Sequence, residues 1–311
     1  MAADPRKTWQ GVFPAVTTQF RSDLSVDLEA TGRTIAGLLR DGVSGLIMCG
    51  TVGENTALSR NEKVALLEVA RDVVKGRAPI LSGVAEYNFM LGAEYAREAE
   101  RVGIDGLMVM PAMVYAAKPR ETIEHFRRIG AASDLPIMIY NNPPAYRTDV
   151  TPEMLIGLQD VDTIVAFKES SGDTRRLIDV RNATGDRFIP FCGLDDVVVE
   201  CLVIGAVGWV SGLSNVFPQE GETLFRLVKA GRMEEAMKIY DWFMPLLHLD
   251  ARHDLVQAIK LCEKIMGRGT DLTRPPRLAL DAAETSAIHA IMDKALAARP
   301  NLPDVGLKAV A

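Results

Sequence analysis

A lysine stands where an apolar run turns polar, in the segment IVAFKESSG at residues 164–172. With period-two alternation, Ile164, Ala166 and Lys168 share one face of the predicted strand, and the amine lies at its carboxyl end. A lysine amine has a pKa near 10.4, but burial lowers that pKa by several units. A neutral, buried amine attacks carbonyl carbon and forms a Schiff base. The alternative is a lysine that reaches solvent from the strand end.

Two further strand ends carry groups that suit the same chemistry. Tyr140 closes the run IMIYNNP, where a phenol beside Lys168 can shuttle protons. The turn GTVGE at residues 50–54 has glycines that let backbone N–H groups approach a ligand, and Thr51 adds a hydroxyl donor. This turn suits a carboxylate. The alternatives are a core tyrosine with its hydroxyl at the surface, and a plain turn in which Glu54 starts the next helix.

The residue types that bind metals are poorly placed. No histidine closes a predicted strand and no two cysteines form a CxxC pair, so we expect no metal site and interpret the cysteines as buried, reduced thiols. The residues concerned are His125, His248, His253, His289, Cys49, Cys192, Cys201 and Cys262.

Charge and hydropathy argue against binding to nucleic acid and against insertion into a membrane. The net charge of -6 and the lack of a Lys/Arg-rich block argue against nucleic-acid binding. The N-terminus has no apolar signal segment, so we expect a cytoplasmic protein. The uncharged stretch Cys201–Gln219 contains three glycines and a proline, and we interpret it as a buried strand with its connections rather than a membrane span.

Eight apolar, β-branched runs alternate with segments of helical periodicity. Ser59 and Glu62 form a predicted capping box, and Pro152 follows a predicted N-cap at Thr151. This alternation predicts parallel pairing and a (β/α)8 TIM barrel. A doubly wound open sheet is the alternative, but neither GxGxxG nor GxxxxGK[ST] occurs. The runs span residues 11–20, 45–50, 79–86, 106–113, 136–143, 163–170, 188–196 and 208–215.

The chain divides into three predicted parts. Residues 1–230 form the barrel, 231–298 a C-terminal helical region and 299–311 a tail. The helical region cannot bury its apolar faces alone, so we expect it to pack on the barrel or on a second subunit.

Together these segments resemble the dihydrodipicolinate synthase and N-acetylneuraminate lyase family of Schiff-base-forming enzymes. The resemblance is carried by GTVGE, YNNP at 140–143, FKES at 167–170 and Gly193 of FCGLDD. It implies that Lys168 forms an imine with a 2-oxo acid, that Tyr140 shuttles protons, and that Thr51 with neighbouring amides holds the substrate carboxylate. It also implies a homotetramer built from dimers, without metal or organic cofactor. The expected substrate-binding residues are Thr51, Val52, Gly193, Arg147, Ser170 and Val210.

Two departures bear on the reaction. Lysine-pathway synthases of this family carry a second hydroxyl residue after the threonine and a tyrosine lent across the dimer interface. Val52 and Met113 stand at those places here, and neither passes a proton, which argues against that condensation. Tyr115 is a candidate replacement. Arg147 lies farther from Tyr140 than the substrate-gripping arginine of those synthases, and either binds a substrate polar group or faces solvent.

The YNNPPAYR loop and the GTVGE turn look most like hydroxyproline-catabolic deaminases acting on 1-pyrroline-4-hydroxy-2-carboxylate. Ser170 is only an approximate match to the threonine of sialic acid lyases. A 2-keto-3-deoxy sugar acid dehydratase or aldolase is an alternative, decided by pocket shape at residues such as Ser170 and Ser211. A 4-hydroxy-tetrahydrodipicolinate synthase and a non-catalytic 2-oxo acid binding protein are the others.

Overall fold

The computed structural model describes residues 4–307, and within them eight strands form one parallel sheet. Each strand corresponds to one of the apolar runs. The strands are β1 Gly11–Pro14, β2 Leu46–Met48, β3 Ile80–Val84, β4 Gly106–Val109, β5 Ile137–Asn141, β6 Ile164–Glu169, β7 Ile189–Cys192 and β8 Gly208–Ser211.

The sheet closes into a barrel. Every strand from β2 to β7 pairs with the next in sequence, and β8 pairs with β1. The remaining gap between β1 and β2 is bridged by the N–H of Val16, which donates to the carbonyl of Ile47 at 2.9 Å, and by that of Ser44, which donates to Val12 at 3.0 Å. Sequential pairing with closure excludes a doubly wound sheet, whose strand order reverses at a switch point. The predicted TIM barrel is confirmed.

Helices follow each strand and carry the predicted start signals. Ser59 and Glu62 form the capping box of α3, and Thr151 caps α7, in which Pro152 is the first residue. The helices are α1 Pro5–Thr8, α2 Leu28–Arg40, α3 Arg60–Val74, α4 Phe89–Val102, α5 Pro119–Gly130, α6 Pro143–Tyr146, α7 Pro152–Ile156, α8 Arg176–Thr184, α9 Val198–Val203, α10 Pro218–Lys229, α11 Met233–Leu247, α12 Leu255–Ile265 and α13 Ala282–Ala297.

The predicted alternation along β6 is wrong at its first residue. A register shift between β5 and β6 pairs Ile137 with Ile164 but Met138 with Ala166, so one residue of β6 is bulged out. Ala166 belongs to the apolar cluster that includes the barrel interior, whereas Ile164 packs in the cluster between sheet and helices. From Ala166 onward the interior face is as expected.

The C-terminal helices pack on the barrel of the same chain. Side chains of α11, α12 and α13, among them Phe243, Ile259 and Met292, join one apolar cluster with barrel residues such as Phe191 and Trp209. This contact covers the apolar faces that the helical region cannot bury alone.

The tail is predicted to lack regular secondary structure, and the uncharged stretch at 201–219 is predicted to contain a buried strand. Residues 299–307 contain neither helix nor strand, and Arg226 and Arg232 donate to their carbonyls; the predicted tail's residues 308–311 lie outside the described residues. The division into domains stays a prediction. Residues 201–219 contain β8 and its connections, and no helix among the described residues has the length and apolarity to cross a membrane.

Candidate active site

Lys168 lies at the carboxyl end of β6, and its side chain is 5% exposed. Its backbone is in register with Tyr140 on β5 and Phe191 on β7. Nζ of Lys168 lies 3.5 Å from the centre of the Tyr140 ring, a distance at which the ring's negative face attracts a cation. The two residues that the sequence placed on neighbouring strand ends are therefore in direct contact.

A small cavity of about 60 Å³ opens at this end of the barrel. Six of the eight predicted site residues line it, together with Ala15, Met108, Asn142, Ala145, Leu194, Gly212, Asp250 and Leu255. These six are Thr51, Val52, Tyr140, Lys168, Gly193 and Val210. Such a volume holds a compact molecule of a few carbon atoms and leaves no room for a long chain.

Gly193 gives the Lys168 side chain its path. A Cβ atom built on Gly193 would overlap Oγ of Ser170 and would lie 2.6 Å from Cε of Lys168. Ser170 is buried behind this contact and does not line the cavity. The Gly193 N–H donates to the carbonyl of Glu169 at 2.8 Å, which holds the glycine against the end of β6.

The GTVGE turn is rigidly held beside the cavity. Its internal hydrogen bonds use the N–H groups of Glu54 and Asn55, and Asn55 Nδ2 donates to the carbonyl of Cys49 at 2.6 Å. The N–H groups of Thr51 and Val52 are not used in these bonds, and both residues line the cavity. Glu54 points away from it, because its carboxylate is fully buried against Lys260 at 2.8 Å. Glu54 therefore has a structural role.

Tyr146 is a site residue that the sequence reasoning missed. Asn142 caps the single turn α6 and Pro143 opens it, so the chain turns back and buries Tyr146 over the barrel mouth. Its hydroxyl lies 2.5 Å from Oγ1 of Thr51, and its ring meets that of Tyr140 edge to face at 5.4 Å. Burial, and then the Tyr140 phenol, raise the pKa of Tyr146 well above its ordinary value.

Thr51, Tyr146 and Tyr140 thus form a chain of hydroxyl groups within one subunit, which we call the hydroxyl chain. Asn142 Nδ2 donates to the Tyr140 oxygen at 3.1 Å and orients it. Val52 and Met113 carry no hydroxyl group, but Tyr146 brings a phenol beside Thr51 and Tyr140 from another loop, so hydroxyl groups suited to a proton relay lie within one subunit.

The other candidates from the loops lie outside the cavity. Arg147 ends α6 in the left-handed conformation, with φ of 56°, and is exposed. Tyr115 is 58% exposed and its hydroxyl interacts with Glu121. Met113 is partly buried against the core. Neither Arg147 nor Tyr115 lines the cavity, and a role for Arg147 in substrate binding stays a prediction.

Two carboxyl groups near the cavity were also missed. Asp195 follows the lining residue Leu194, is fully buried, and accepts hydrogen bonds from Trp209 Nε1 at 2.8 Å and Ser211 Oγ at 3.2 Å. Burial, and then the neighbouring Asp250, raise the pKa of Asp195 well above its ordinary value. Asp250 lines the cavity from the loop between α11 and α12, a region without a strand-end signal. No group of three or more His, Cys, Asp or Glu residues within residues 4–307 is arranged to hold a metal.

A closed (β/α)8 barrel with a buried lysine on β6, a tyrosine on β5 and the GTVGE turn after β2 is the arrangement of a class I, Schiff-base-forming enzyme. The chain belongs to the dihydrodipicolinate synthetase family, whose model matches residues 8–295. Members of this family are class I lyases that form a Schiff base through a lysine, so this protein is an enzyme of that class.

Known proteins resemble this chain in sequence and in fold over nearly its whole length. A 4-hydroxy-tetrahydrodipicolinate synthase from Synechococcus sp. (strain WH7803) is 32% identical, covering 92% of this chain and 94% of its own. The dihydrodipicolinate synthase of Aquifex aeolicus has a TM-score of 0.88 at 25% identity, covering 92% and 97%. A prophage protein of the same family from E. coli K12, solved in complex with pyruvate, has a TM-score of 0.87 at 25% identity, covering 93% and 99%.

Proposed function

We propose that the protein is a deaminase of 1-pyrroline-4-hydroxy-2-carboxylate, which it converts into 2-oxoglutarate semialdehyde and ammonia. The observation that carries this proposal is the contact of Lys168 with the Tyr140 ring inside a small, largely apolar cavity. The small cavity and the single GTVGE turn beside it favour a compact substrate with one carboxylate, as a cyclic imine of this kind is. Arg147, the candidate for gripping a second charged group, lies outside the cavity.

The residues have distinct roles in this reaction. Thr51 and the N–H groups of the GTVGE turn hold the carboxylate, and the Lys168 amine attacks C2 and displaces the ring nitrogen. C3 then loses a proton, and the electrons of that C–H bond move toward the imine. The C4 hydroxyl leaves as water, with Tyr140 as the acid. Proton shifts from C5 and its amine to C3 and C4, through the conjugated enamine, then convert C5 into an imine carbon. Two hydrolyses follow, one at C5 that frees ammonia and one at C2 that frees Lys168. One water leaves and two are consumed, and the imine serves as electron sink, so the chemistry requires no cofactor.

A second candidate, 4-hydroxy-tetrahydrodipicolinate synthase, is favoured by the hydroxyl chain. Thr51, Tyr146 and Tyr140 offer the proton relay that a condensation of pyruvate with a second substrate uses. Relatives such as the Synechococcus protein carry that name. The exposed position of Arg147 speaks against this candidate, because the second substrate would lose its charged anchor.

Product analysis with matched substrates tests the proposal. The purified protein is supplied with 1-pyrroline-4-hydroxy-2-carboxylate, with pyruvate plus aspartate semialdehyde, or with 2-keto-3-deoxy sugar acids. We expect ammonia and 2-oxoglutarate semialdehyde in equal amounts from the first, with a kcat on the order of 1–100 s⁻¹. Turnover of the second mixture alone would establish the synthase, and turnover of the sugar acids alone would establish a dehydratase or aldolase.

A further inference from the structure

Asp250 reaches the Lys168 cavity from outside the barrel. It lies in the loop between α11 and α12, and its carboxyl group passes directly over Gly212 at the end of β8. A Cβ atom built on Gly212 would overlap Oδ1 of Asp250, so a glycine at this position is needed for the carboxyl group to lie where it does. Gly193 provides the same kind of path for Lys168 at the end of β7. Two glycines on adjacent strands thus admit an amine and a carboxyl group to one cavity.

The charged groups around Asp250 come from several elements. Lys168 on β6 attracts its carboxylate, and Asp196 after β7 repels it. Asp195, whose backbone N–H donates to Asp250, places a second buried carboxyl group beside it. Tyr140 on β5 lines the same cavity. Burial is the largest effect and, with Lys168 opposing it, raises the pKa of Asp250 from 3.8 to about 6.

We propose that Asp250 is the proton carrier for Lys168: it takes a proton from the lysine nitrogen after attack on C2 and delivers it to the group that leaves C2. This role rests on the proposed Schiff-base function. Direct transfer between two atoms on one carbon passes through a strained four-membered ring, whereas a carboxyl group exchanges the proton through its two oxygens. The carboxylate also stabilises the cationic iminium that results.

With a cyclic imine as substrate, every proton and electron pair of this step stays on the substrate, Lys168 or Asp250. The neutral Lys168 amine adds to the protonated C2=N bond, which gives a carbon bearing the ring N–H and a cationic lysine nitrogen. Asp250 removes one proton from that nitrogen and gives it to the ring nitrogen. The lysine lone pair then forms the new C2=N bond as the old C–N bond breaks, and its electrons remain on the departing neutral amine. With an open-chain 2-oxo acid the leaving group is a hydroxyl, which departs as water.

A near-neutral carboxyl group suits this task because the same group must accept and return a proton at the working pH. The phenol of Tyr140 is oriented by Asn142 and meets Tyr146 on the far side of the cavity, where it can serve C3 and C4. Asp250 and Tyr140 would therefore divide the proton transfers between them.

The test measures imine formation in a single turnover, with pyruvate as the probe. Protein and pyruvate are mixed, quenched with borohydride at intervals, and the adduct is quantified by intact mass and mapped by peptide analysis. We expect Asp250→Asn to slow adduct formation by about 100-fold or more, with the same final extent at Lys168. The matched control is Asp254→Asn in the same loop, because Asp254 pairs with Arg252 at 2.6 Å outside the cavity; it should react at the wild-type rate.

The pH profile separates proton transfer from a structural role. In the wild-type protein the rate should rise as pH increases through about 6, since the ionised carboxylate is the form that accepts the proton. The Asp250→Asn variant should lack this rise. Asp250→Ala gives a second test in case the amide perturbs folding, which thermal unfolding would reveal.

Three results would count against parts of the account in different ways. An Asp250→Asn variant that forms the imine at the wild-type rate or faster overturns the proton-carrier role, because the carboxylate would then only hold the lysine protonated. Wild-type protein that forms no adduct overturns the lysine chemistry and the role of Asp250 with it. Normal adduct formation without ammonia release from 1-pyrroline-4-hydroxy-2-carboxylate overturns the proposed substrate alone.

Discussion

At the scale of single residues, Gly193 decides whether Lys168 can reach the cavity. A methyl group there would overlap Cε of Lys168 and Oγ of Ser170. Both side chains are buried, so neither has free space to move into. We expect Gly193→Ala to lower kcat by about 100-fold or more, because displacement of a reacting group by about 1 Å has that effect.

The control for this prediction is Gly37→Ala in α2. A Cβ at Gly37 meets Arg40 and Arg268 at the ordinary distances of 3.5 and 3.7 Å, so activity should be unchanged. Steady-state kinetics and the borohydride adduct yield would be compared for the two variants. Full activity of Gly193→Ala would show that the lysine does not take the path described.

The hydroxyl chain makes its own prediction. Tyr146→Phe removes the phenol that links Thr51 to Tyr140 and should reduce kcat by about 100-fold while leaving imine formation at Lys168 intact. Tyr115→Phe is the matched control, because the Tyr115 side chain is exposed and its hydroxyl interacts with Glu121. An impaired Tyr115→Phe variant beside a normal Tyr146→Phe variant would place the working phenol on the other loop.

The sequence identified the residues that close strands and missed those that do not. Lys168 and Tyr140 were predictable because a polar group at the end of an apolar run in a parallel barrel faces the mouth. Tyr146 lies on a single helical turn whose direction depends on Asn142 and Pro143, and Asp250 comes from a loop beyond the barrel. Local pattern carries no information about which distant loop folds over a site. The tyrosine in YNNPPAY, directly after the strand-five motif, was the one available signal.

At the scale of elements, the start of α3 is tied to the C-terminal segment. Glu62 completes the capping box of α3 and also accepts two hydrogen bonds from Arg274, at 2.6 and 2.9 Å. The hydrogen bonds from Arg274 lower the pKa of Glu62 from 4.5 to about 2. A carboxyl group whose pKa is depressed on folding stabilises the protein above its unfolded pKa and loses that effect as pH falls.

We therefore expect Glu62→Gln to lower the free energy of unfolding at pH 7 by roughly 1–2 kcal/mol, a value reduced for the partial exposure of the pair. The difference from wild type should shrink between pH 4.5 and about 2, as urea unfolding at several pH values would measure. Glu29→Gln is the control, since the Glu29–Arg33 pair is exposed and should contribute little. A loss of stability that is the same at pH 3 and pH 7 would contradict the assignment.

The elements themselves were predictable because several signals agreed. Apolar β-branched runs, capping residues and the regular spacing of strands all indicated a barrel of alternating strands and helices. The failure at Ile164 has a local cause, since a bulge inserts one residue and shifts the face of everything before it. A bulge depends on pairing with the neighbouring strand and has no signature within IVAFK.

At the scale of the whole molecule, a buried ion pair fastens the C-terminal helices to the barrel. Lys260 of α12 is fully buried and donates to Glu54 at 2.8 Å, to the carbonyl of Thr18 at 2.7 Å and to that of Leu272 at 2.5 Å. The loop that carries Asp250 belongs to this same region. The pair therefore holds the part of the chain that completes the cavity.

Removing one partner should be worse than removing both charges. We expect Lys260→Met to destabilise the fold by about 3–5 kcal/mol, because the Glu54 carboxylate is left buried without its ammonium. The double variant Lys260→Met/Glu54→Gln should recover part of that loss, as denaturant unfolding of the two variants would measure. A double variant no more stable than the single one would argue that the charge of Glu54 is not the cause of the lost stability.

The assembly of four subunits that the family resemblance implies stays a prediction.

The most direct test of the account is the mass of the protein after borohydride reduction with pyruvate, followed by peptide mapping. We expect one adduct per chain on Lys168 and none in Lys168→Ala, which should still fold. An adduct on another lysine, or no adduct in the wild-type protein, would contradict the claim that the amine at the end of β6 forms the Schiff base.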